Sequence, residues 1–523
     1  MDFSLETAIW QEYENGIDYQ RRMGFRERFP EYIRFKEGDQ WPPATARTRN
    51  LPRPVFNIVE MFIRTKRAAV LNPHIAMTYL PVTEEAAQGA RDLTDYTQQL
   101  WKRMEQDRLN EELMDDAATL GTGALHYYFD PHAEDPGTPE AVGEIRGESI
   151  DPLNLFFGDP QQTEIQKQPY VMIATRQRVR DVRRLAAEMG VPETMQTLIA
   201  PDDAAGDGYE AARAEIRDAD KCTVLTKYYR VNGAVVYDQA TRQVELVHGR
   251  SLTPAGRKPI TRYPVVLMAW KPRKASIYGI GETEGLIPNQ KAINFNLAML
   301  LLSVQQTAWP KLVSTPGAIR QPVTNEPGEH LIDYSAGGGG IRYLNPPAFG
   351  STAMNLSGMV LELSRTVAGV SEVSTGEMTG RNMAASAIIA LQNQARTPIV
   401  EIQRRFWTVL RQAGQIWLQF IRAYYVFDRA IAAVNRGETH GRTFRGSKYS
   451  DTPFDLTVDV GASSEFSEVL SQSTLDSFLA NGYITVDQYI DLAPVNVVPF
   501  KERLKQMRAD AEKEAEERRG EED

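Results

Sequence analysis

The chain is poor in the residues that catalytic and secreted domains are commonly built around. Its 523 residues include one cysteine, Cys222, and six histidines: His74, His126, His132, His248, His330 and His440. A single cysteine excludes an internal disulfide framework and any cysteine-based zinc site, and it fits a reducing compartment. The histidines are scattered and form no HExxH pair. No GxxxxGK[ST] sequence occurs, so no P-loop motor is encoded, and no GxSxG elbow is present. Long apolar runs are missing too: the longest, Leu297 to Val304, falls far short of the ~20 residues that span a bilayer. The first residues, MDFSLETAIWQEYENG, are acidic and amphipathic, with no basic stretch ahead of an apolar core, so no secretory signal is expected.

Two further patterns dissolve on inspection. Gly279-Ile-Gly281-Glu-Thr-Glu-Gly285 nearly reproduces a dinucleotide loop. Its spacing is one residue too long, and no acidic residue follows at the required distance. The carboxylates Asp202, Asp203 and Asp207 sit in a Gly/Ala-rich loop with no partner histidine, the pattern of a solvated surface. No cofactor, metal or catalytic residue is expected. An active site dispersed along the chain would escape motif inspection, which leaves a nuclease or other enzyme as the rival reading.

What is present is ordinary in amount and informative in arrangement. Apolar and charged fractions of 42% and 24% are those of a soluble globular protein, and the length suits about three or four domains. A net charge of -10 argues against a surface that grips nucleic acid all over. It leaves room for a channel through which DNA slides, where lysines would hinder.

The pattern predicts helices over much of 1–36, over 58–71 (stopped by Asn72-Pro73), and over about 83–120 as one amphipathic run. Strands are expected at 125–130, 170–179, 222–231 and 233–238, the last two joined by the Asn232-Gly233 turn. With 244–247 and 263–270 they make a small mixed sheet. From Gly285 a helix runs to about Trp309, with Pro288 in its first turn. Residues 311–350 are irregular, and 355–367 are helical again.

The rest is organised around Gly369 to Tyr425. A loop rich in Gly, Ser, Thr, Met and Asn enters a long helix whose apolar residues recur every three or four positions. They run Ile388, Leu391, Ala395, Ile399, Ile402, Phe406, Leu410, Ala413, Trp417, Phe420 and Tyr424. Pro398 lies inside that run, and because the stripe continues in phase, a kink is expected there rather than a break. An ordinary core helix behind a surface loop is the plain alternative to a mechanical lever. The tail 501–523 is Glu/Lys/Arg-rich, a solvated helix or disordered.

Several short motifs recur in a telling order. They are Gly38-Asp39-Gln40-Trp41; Arg53-Pro54-Val-Phe-Asn57; Ile150-Asp151-Pro152 with Phe157-Gly158-Asp159-Pro160; Tyr278-Gly-Ile-Gly281 with Gln290 and Asn294; and Gly369-Val370-Ser-Glu372 leading to Ala384-Ala385-Ser386-Ala387. Taken together, over nearly the whole chain, this order resembles the portal proteins of tailed double-stranded DNA bacteriophages, particularly the short-tailed type.

The resemblance implies a predominantly helical α+β portal fold assembled as a ring, commonly of twelve subunits, around a central channel. It implies a wing at 1–280, a first stem helix at 281–310, a clip at 311–350 and a second stem helix at 351–369. A tunnel loop at 370–384, a long kinked helix at 385–427, further wing strands at 428–463 and crown helices with a charged tail at 464–523 follow.

Implied partners are double-stranded DNA, the terminase large subunit, a tail adaptor, and the major capsid and scaffolding proteins, with no membrane. The implied place is the portal vertex of the virion, after assembly in the host cytoplasm. Glu377, Met378, Arg381, Asn382 and Met383 would belong to the tunnel loop, and Lys291 would face the channel from the stem. Lys311, Arg320, Asn325, Glu329, Asp333, Arg342 and Tyr343 would serve docking at the clip. In a ring, a modest acidic excess repeats around the axis and repels DNA phosphates, with Arg381 and Lys291 as transient contacts. A scaffold that binds only proteins, with no ring and no lumen, is the third reading.

Overall fold

Aromatic side chains at helical spacing build the N-terminal part. Helices α1 (Ala8–Arg22) and α2 (Phe25–Glu37) bury Trp10, Tyr13, Phe25, Phe29, Tyr32 and Phe35. In this computed structural model the described residues are 7–46, 48–71, 75–133, 142–202, 220–308, 311–320, 322–323, 332–337, 340–344, 351–370, 385–435, 438–460 and 475–492.

Asn57 caps α3 (Ile58–Val70) by accepting from the Glu60 amide at 3.2 Å. Strand β1 (Ile75–Pro81) leads to α4 (Ala87–Arg103) and α5 (Gln106–Leu120). The single helix expected over 83–120 is therefore two. Glu105 takes a left-handed φ of 52° between them, and Trp101 Nε1 donates to Asp107 Oδ1 at 2.9 Å across the joint. Leu100 and Met104 before the break, and Leu109 and Leu113 after it, all enter the same core.

The sheet region comprises β2 (Thr122–Asp130), β3 (Glu144–Ile150), β4 (Leu155–Phe157), β5 (Tyr170–Arg178), α6 (Val179–Glu188), α7 (Glu193–Gln196), β6 (Lys221–Val231), β7 (Ala234–Ala240), β8 (Glu245–Ser251), β9 (Val265–Ala269), β10 (Lys271–Arg273) and β11 (Ser276–Ile280). The expected mixed sheet is instead two antiparallel ones, ordered β3-β2-β9 and β4-β5-β6-β7-β8. Short turns join β6 to β7 and β7 to β8, where antiparallel pairing needs only hairpins, whereas β5 reaches β6 by way of α6 and α7 and β9 joins β2 from far along the chain. At the β6–β7 hairpin Asn232 and Gly233 take φ of 51° and 81°, the paired positive values of a type I′ turn.

The second half begins with α8 (Glu282–Ala308), the hairpin β12 (Lys311–Ser314) and β13 (Ile341–Leu344), and α9 (Ser351–Ala368). Helix α8 starts one turn earlier than the sequence suggests, so Pro288 lies inside it rather than in its first turn. Helix α10 (Ala385–Tyr424) continues without interruption past Pro398. Strands β14 (Arg429–Asn435) and β15 (Glu438–Phe444) pair with each other, and β16 (Phe454–Val460) pairs with β1. Residues 475–480 and Val486–Leu492 are helical.

The largest core wraps around α10. Ile399, Ile402, Phe406, Leu410, Ala413, Trp417 and Phe420 are buried against side chains from α3, α4, α5, β1 and β16. Trp417 packs edge-on to Trp101 and Tyr127, with centroids 6.2 and 5.6 Å apart. Where its side chains are described, the long apolar stripe is thus ordinary core of this chain, the plainer of the two sequence readings. Ile388, Leu391 and Ala395 have side chains outside the described residues.

Candidate functional site

The feature that sets this molecule apart is the helical hairpin α8–β12–β13–α9 and the way it is rooted. At its root, β11 crosses the start of β2 so closely that no side chain fits between them. A Cβ on Gly279 would lie 2.2 Å from the Gly121 carbonyl oxygen, and one on Gly281 would lie 2.6 Å from that of Thr119. Gly279 N donates to Thr122 Oγ1 at 2.8 Å. The glycines that imitate a dinucleotide loop therefore serve backbone packing.

Helix α8 opens on a buried charge. Glu282 Oε1 lies 2.8 Å from Lys66 Nζ, while Oε2 lies 3.2 Å from Lys271 Nζ and accepts from Trp270 Nε1 at 2.9 Å. Burial pushes the Glu282 carboxyl upward, but the two lysines and these hydrogen bonds outweigh it, so it sits below its ordinary value. The first turn of a helix also favours a carboxylate. The result pins α8 to α3 and the β-region. Sequence reading missed this ion cluster, because Glu282 looks there like any surface carboxylate beside Glu284.

About two turns further on, four amide side chains from three distant segments form a buried network. Gln290 Oε1 accepts from Ile58 N at 2.8 Å, and its Nε2 donates to Phe56 O at 2.8 Å and to Asn294 Oδ1 at 2.9 Å. Asn294 Nδ2 donates to Gln40 Oε1 at 2.6 Å, and Gln40 Nε2 donates to Asn57 Oδ1 at 3.1 Å. Trp41 Nε1 donates to Pro54 O at 2.9 Å beside them. Three motifs that the sequence offered only as an ordered series are thus one junction, where residues 40–58 grip helix α8.

Beyond the junction the hairpin leaves the core. Asn289 Nδ2 donates to Ser364 Oγ at 3.0 Å, so the start of α8 meets the end of α9 and the two helices run antiparallel. From Met299 to the end of α8 no residue is buried. On α9, Leu356, Met359, Leu363 and Val367 are exposed at a spacing of three and four, one continuous apolar stripe, with Met359 61% and Val367 70% exposed. Phe295 and Val304 are exposed on α8. Contiguous exposed apolar faces commonly mark interaction surfaces. The β12–β13 ladder, pairing Lys311 with Leu344 and Ser314 with Ile341, caps the hairpin.

The structure places the anticipated site residues unevenly. Lys291 bonds Glu31 Oε1 at 2.9 Å and stands 5.1 Å over the Phe35 ring, so it also braces α8 against α2. The Arg320 guanidinium lies 4.8 Å over Tyr334. Asp333 accepts from Ser335 N and Gly340 N, each at 2.8 Å, closing a turn. Arg342 and Tyr343 are exposed on β13. Lys311 begins β12, and its side chain lies outside the described residues. Asn325, Glu329, Glu377, Met378, Arg381, Asn382 and Met383 lie outside them altogether. Pro398, in α10, faces Gly369.

A second feature was not anticipated. An open cleft of about 1160 Å³ lies between the two sheets, lined by Tyr128, Thr175, Thr226, Tyr237 and Tyr424. At its wall His126 is clamped, with Nδ1 2.8 Å from Glu148 Oε1 and Nε2 2.9 Å from Tyr228 Oη. Both ring nitrogens are engaged, and burial raises the Tyr228 hydroxyl far above its ordinary range. This is a structural strut rather than a free general base. Among the described residues no group of three or more His, Cys, Asp or Glu side chains is placed to hold a metal ion. Among them, too, no helix is long and apolar enough to cross a membrane.

The described residues form a mixed α+β body carrying a helical hairpin with an exposed apolar face. The phage P22-like portal protein family model matches residues 10–463, and the chain belongs to that family. The match spans the body, the hairpin, α10 and the strands that follow it. No individual curated protein matches the chain significantly.

Proposed function

We propose that this chain assembles into a closed ring, commonly of twelve copies in such proteins, at one vertex of a phage capsid. Double-stranded DNA would pass through the ring during packaging and again on ejection, and the ring itself would carry out no catalysis. The observation that carries this reading beyond family membership is the apolar stripe Leu356, Met359, Leu363 and Val367, which is left exposed among the described residues. Side-by-side packing of α8–α9 hairpins from neighbouring copies covers it and leaves a bore on the axis.

In this reading residues 1–280 are the wing, α8 and α9 the stem, and 311–350 the clip. The clip docks the terminase large subunit and later a tail adaptor, using Lys311, Arg320, Asp333, Arg342 and Tyr343 with Asn325 and Glu329. Residues 370–384 form the tunnel loop, with Glu377, Met378, Arg381, Asn382 and Met383 toward the DNA, and 464–523 form the crown. Capsid and scaffolding proteins surround the wing.

Negative-stain electron microscopy of the purified protein tests the proposal. Rings with a central hole are expected; a monomer that persists across salt and protein concentration would overturn it. Deleting 323–342 tests the clip: rings should still form while terminase and adaptor docking are lost, and retained docking would move the clip elsewhere.

A further inference from the structure

Between Lys291 and Lys311 the sequence holds 19 residues with no Asp, Glu, Lys, Arg or His, and between Arg342 and Glu362 it holds another 19. At the chain's charged fraction of 24%, 38 residues would carry about nine charges. The two stretches are separated by the 32 residues 311–342, yet they are the two legs of one hairpin. Helix α8 supplies 292–308 and α9 supplies 351–361, packed antiparallel. The helical rise makes the shared uncharged length about 16 Å, reaching about 25 Å along α8. Charged side chains border this band at the wing end (Lys291, Glu362 and Arg365) and at the hairpin end (Lys311 and Arg342).

We infer that this band is an electrically neutral collar, which DNA phosphates pass by meeting only hydroxyls, amides and apolar groups. The inference rests on the portal reading, and it refines that reading by assigning the stem a recognition chemistry. It does not depend on which helical face looks inward. No face of either leg carries a charge within the band, and every copy in a ring is identical. The polar groups available there are Gln305, Gln306 and Thr307 on α8 and Asn355 on α9, all exposed, with Asn296, Ser303 and Ser357 half-buried.

Phosphate contacts by lysine or arginine release counterions and make DNA affinity fall steeply with salt. A ring of carboxylates would instead set up a repulsive barrier, also dependent on salt. A neutral wall does neither, so a highly charged polymer slides past without a deep well or a high barrier. The acidic lumen expected from net charge alone is thereby confined to other levels of the channel.

Lysine substitutions at Ser303, Gln305, Gln306 and Thr307 test this, because their helical angles sample the circumference of α8 whichever way it faces. Each variant is first imaged for rings, then its packaging rate is compared with wild type in vitro at about 50 mM and about 200 mM salt. Failure of the wild-type protein to form rings would remove the portal reading itself.

With rings formed, one or more lysine variants should package several-fold slower than wild type at low salt, with the deficit shrinking at high salt. The neutral Gln305→Asn should match wild type at both. Glutamate at the same positions covers any lysine variant that fails to assemble, and its effect should also shrink with salt. Wild-type rates in all ring-forming charged variants, or a deficit that salt leaves unchanged, would overturn the neutral collar while leaving the ring intact.

Discussion

Gly369 lies directly against Pro398, so that a Cβ on the glycine would come within 3.0 Å of Pro398 Cγ and 3.1 Å of Cβ. The glycine has a φ of +67°, which turns the chain out of α9 while its neighbours Ala368 and Val370 enter the core beside Ile399 and Ile402. The end of α9 is thus registered on the proline of α10. Gly369→Ala meets both a left-handed backbone penalty and a crowded ring. Its expected cost is about 1–2 kcal/mol, read as a lower midpoint in urea unfolding. An unchanged midpoint would show that this contact yields without strain.

The amide junction makes a sharper prediction. Gln290→Leu removes three hydrogen bonds from this junction, those to the Ile58 amide, the Phe56 carbonyl and Asn294 Oδ1, and leaves the Ile58 N to Phe56 O, Phe56 N to Asn294 Oδ1 and Asn294 Nδ2 to Gln40 Oε1 bonds in place. Each lost hydrogen bond nets about 0.5–1.5 kcal/mol, so the variant should be destabilised by more than a surface change would explain. Gln40→Ala and Asn294→Ala, which share one hydrogen bond, should be non-additive in a double-mutant cycle by about 0.5 kcal/mol or more. Strict additivity would mean that the network is pairwise and loose.

That junction also shows what could be read from residues alone. The order Gln40, Asn57, Gln290 and Asn294 was visible as recurring motifs, but nothing in it told that side chains some 250 positions apart touch. Helical periodicity located α8, α9 and α10 well, because an apolar face repeats whatever the fold does around it. The break at Glu105 escaped, since Met104-Glu105-Gln106 are all good helix formers and only tertiary packing favours the left-handed residue. Strand β13 escaped because Ile341-Arg-Tyr-Leu is short and lies in a proline- and glycine-rich region. The uncharged stretches were present as letters, and their meaning appears only when α8 and α9 are paired.

Asp116 provides a pH signature. Burial first, and then the Asp151 and Asp115 carboxylates, push its carboxyl up to about 8, with Lys36 pulling the other way. A folded value above the unfolded one of about 3.9 means that the native state holds the proton longer. This group's contribution to stability is therefore complete below about pH 4 and is lost as pH rises toward about 8. Asp116→Asn removes the titration while keeping the shape. Its stability relative to wild type should rise between about pH 4 and about pH 8, by an amount on the order of a few kcal/mol at most. Urea midpoints across that range decide it, and parallel curves for the two proteins would show that Asp116 is ionised in the fold.

The exposed α9 stripe separates assembly from folding. Met359 and Leu363 are 61% and 52% exposed in the single chain, so a charge at either position removes little packing within the subunit. Met359→Asp and Leu363→Glu should change the stability of the isolated subunit by about 0.5 kcal/mol or less. In a ring each charge would be buried against the neighbouring hairpin without a partner, at a cost repeated at every interface. Sedimentation velocity should therefore find wild-type rings and mostly subunits for either variant, with matching circular dichroism. Thr366→Ala, one position from the apolar stripe on the same helix, should still assemble. Rings of wild-type stability from Met359→Asp and Leu363→Glu would place the subunit interface on another surface and leave the α9 stripe unexplained.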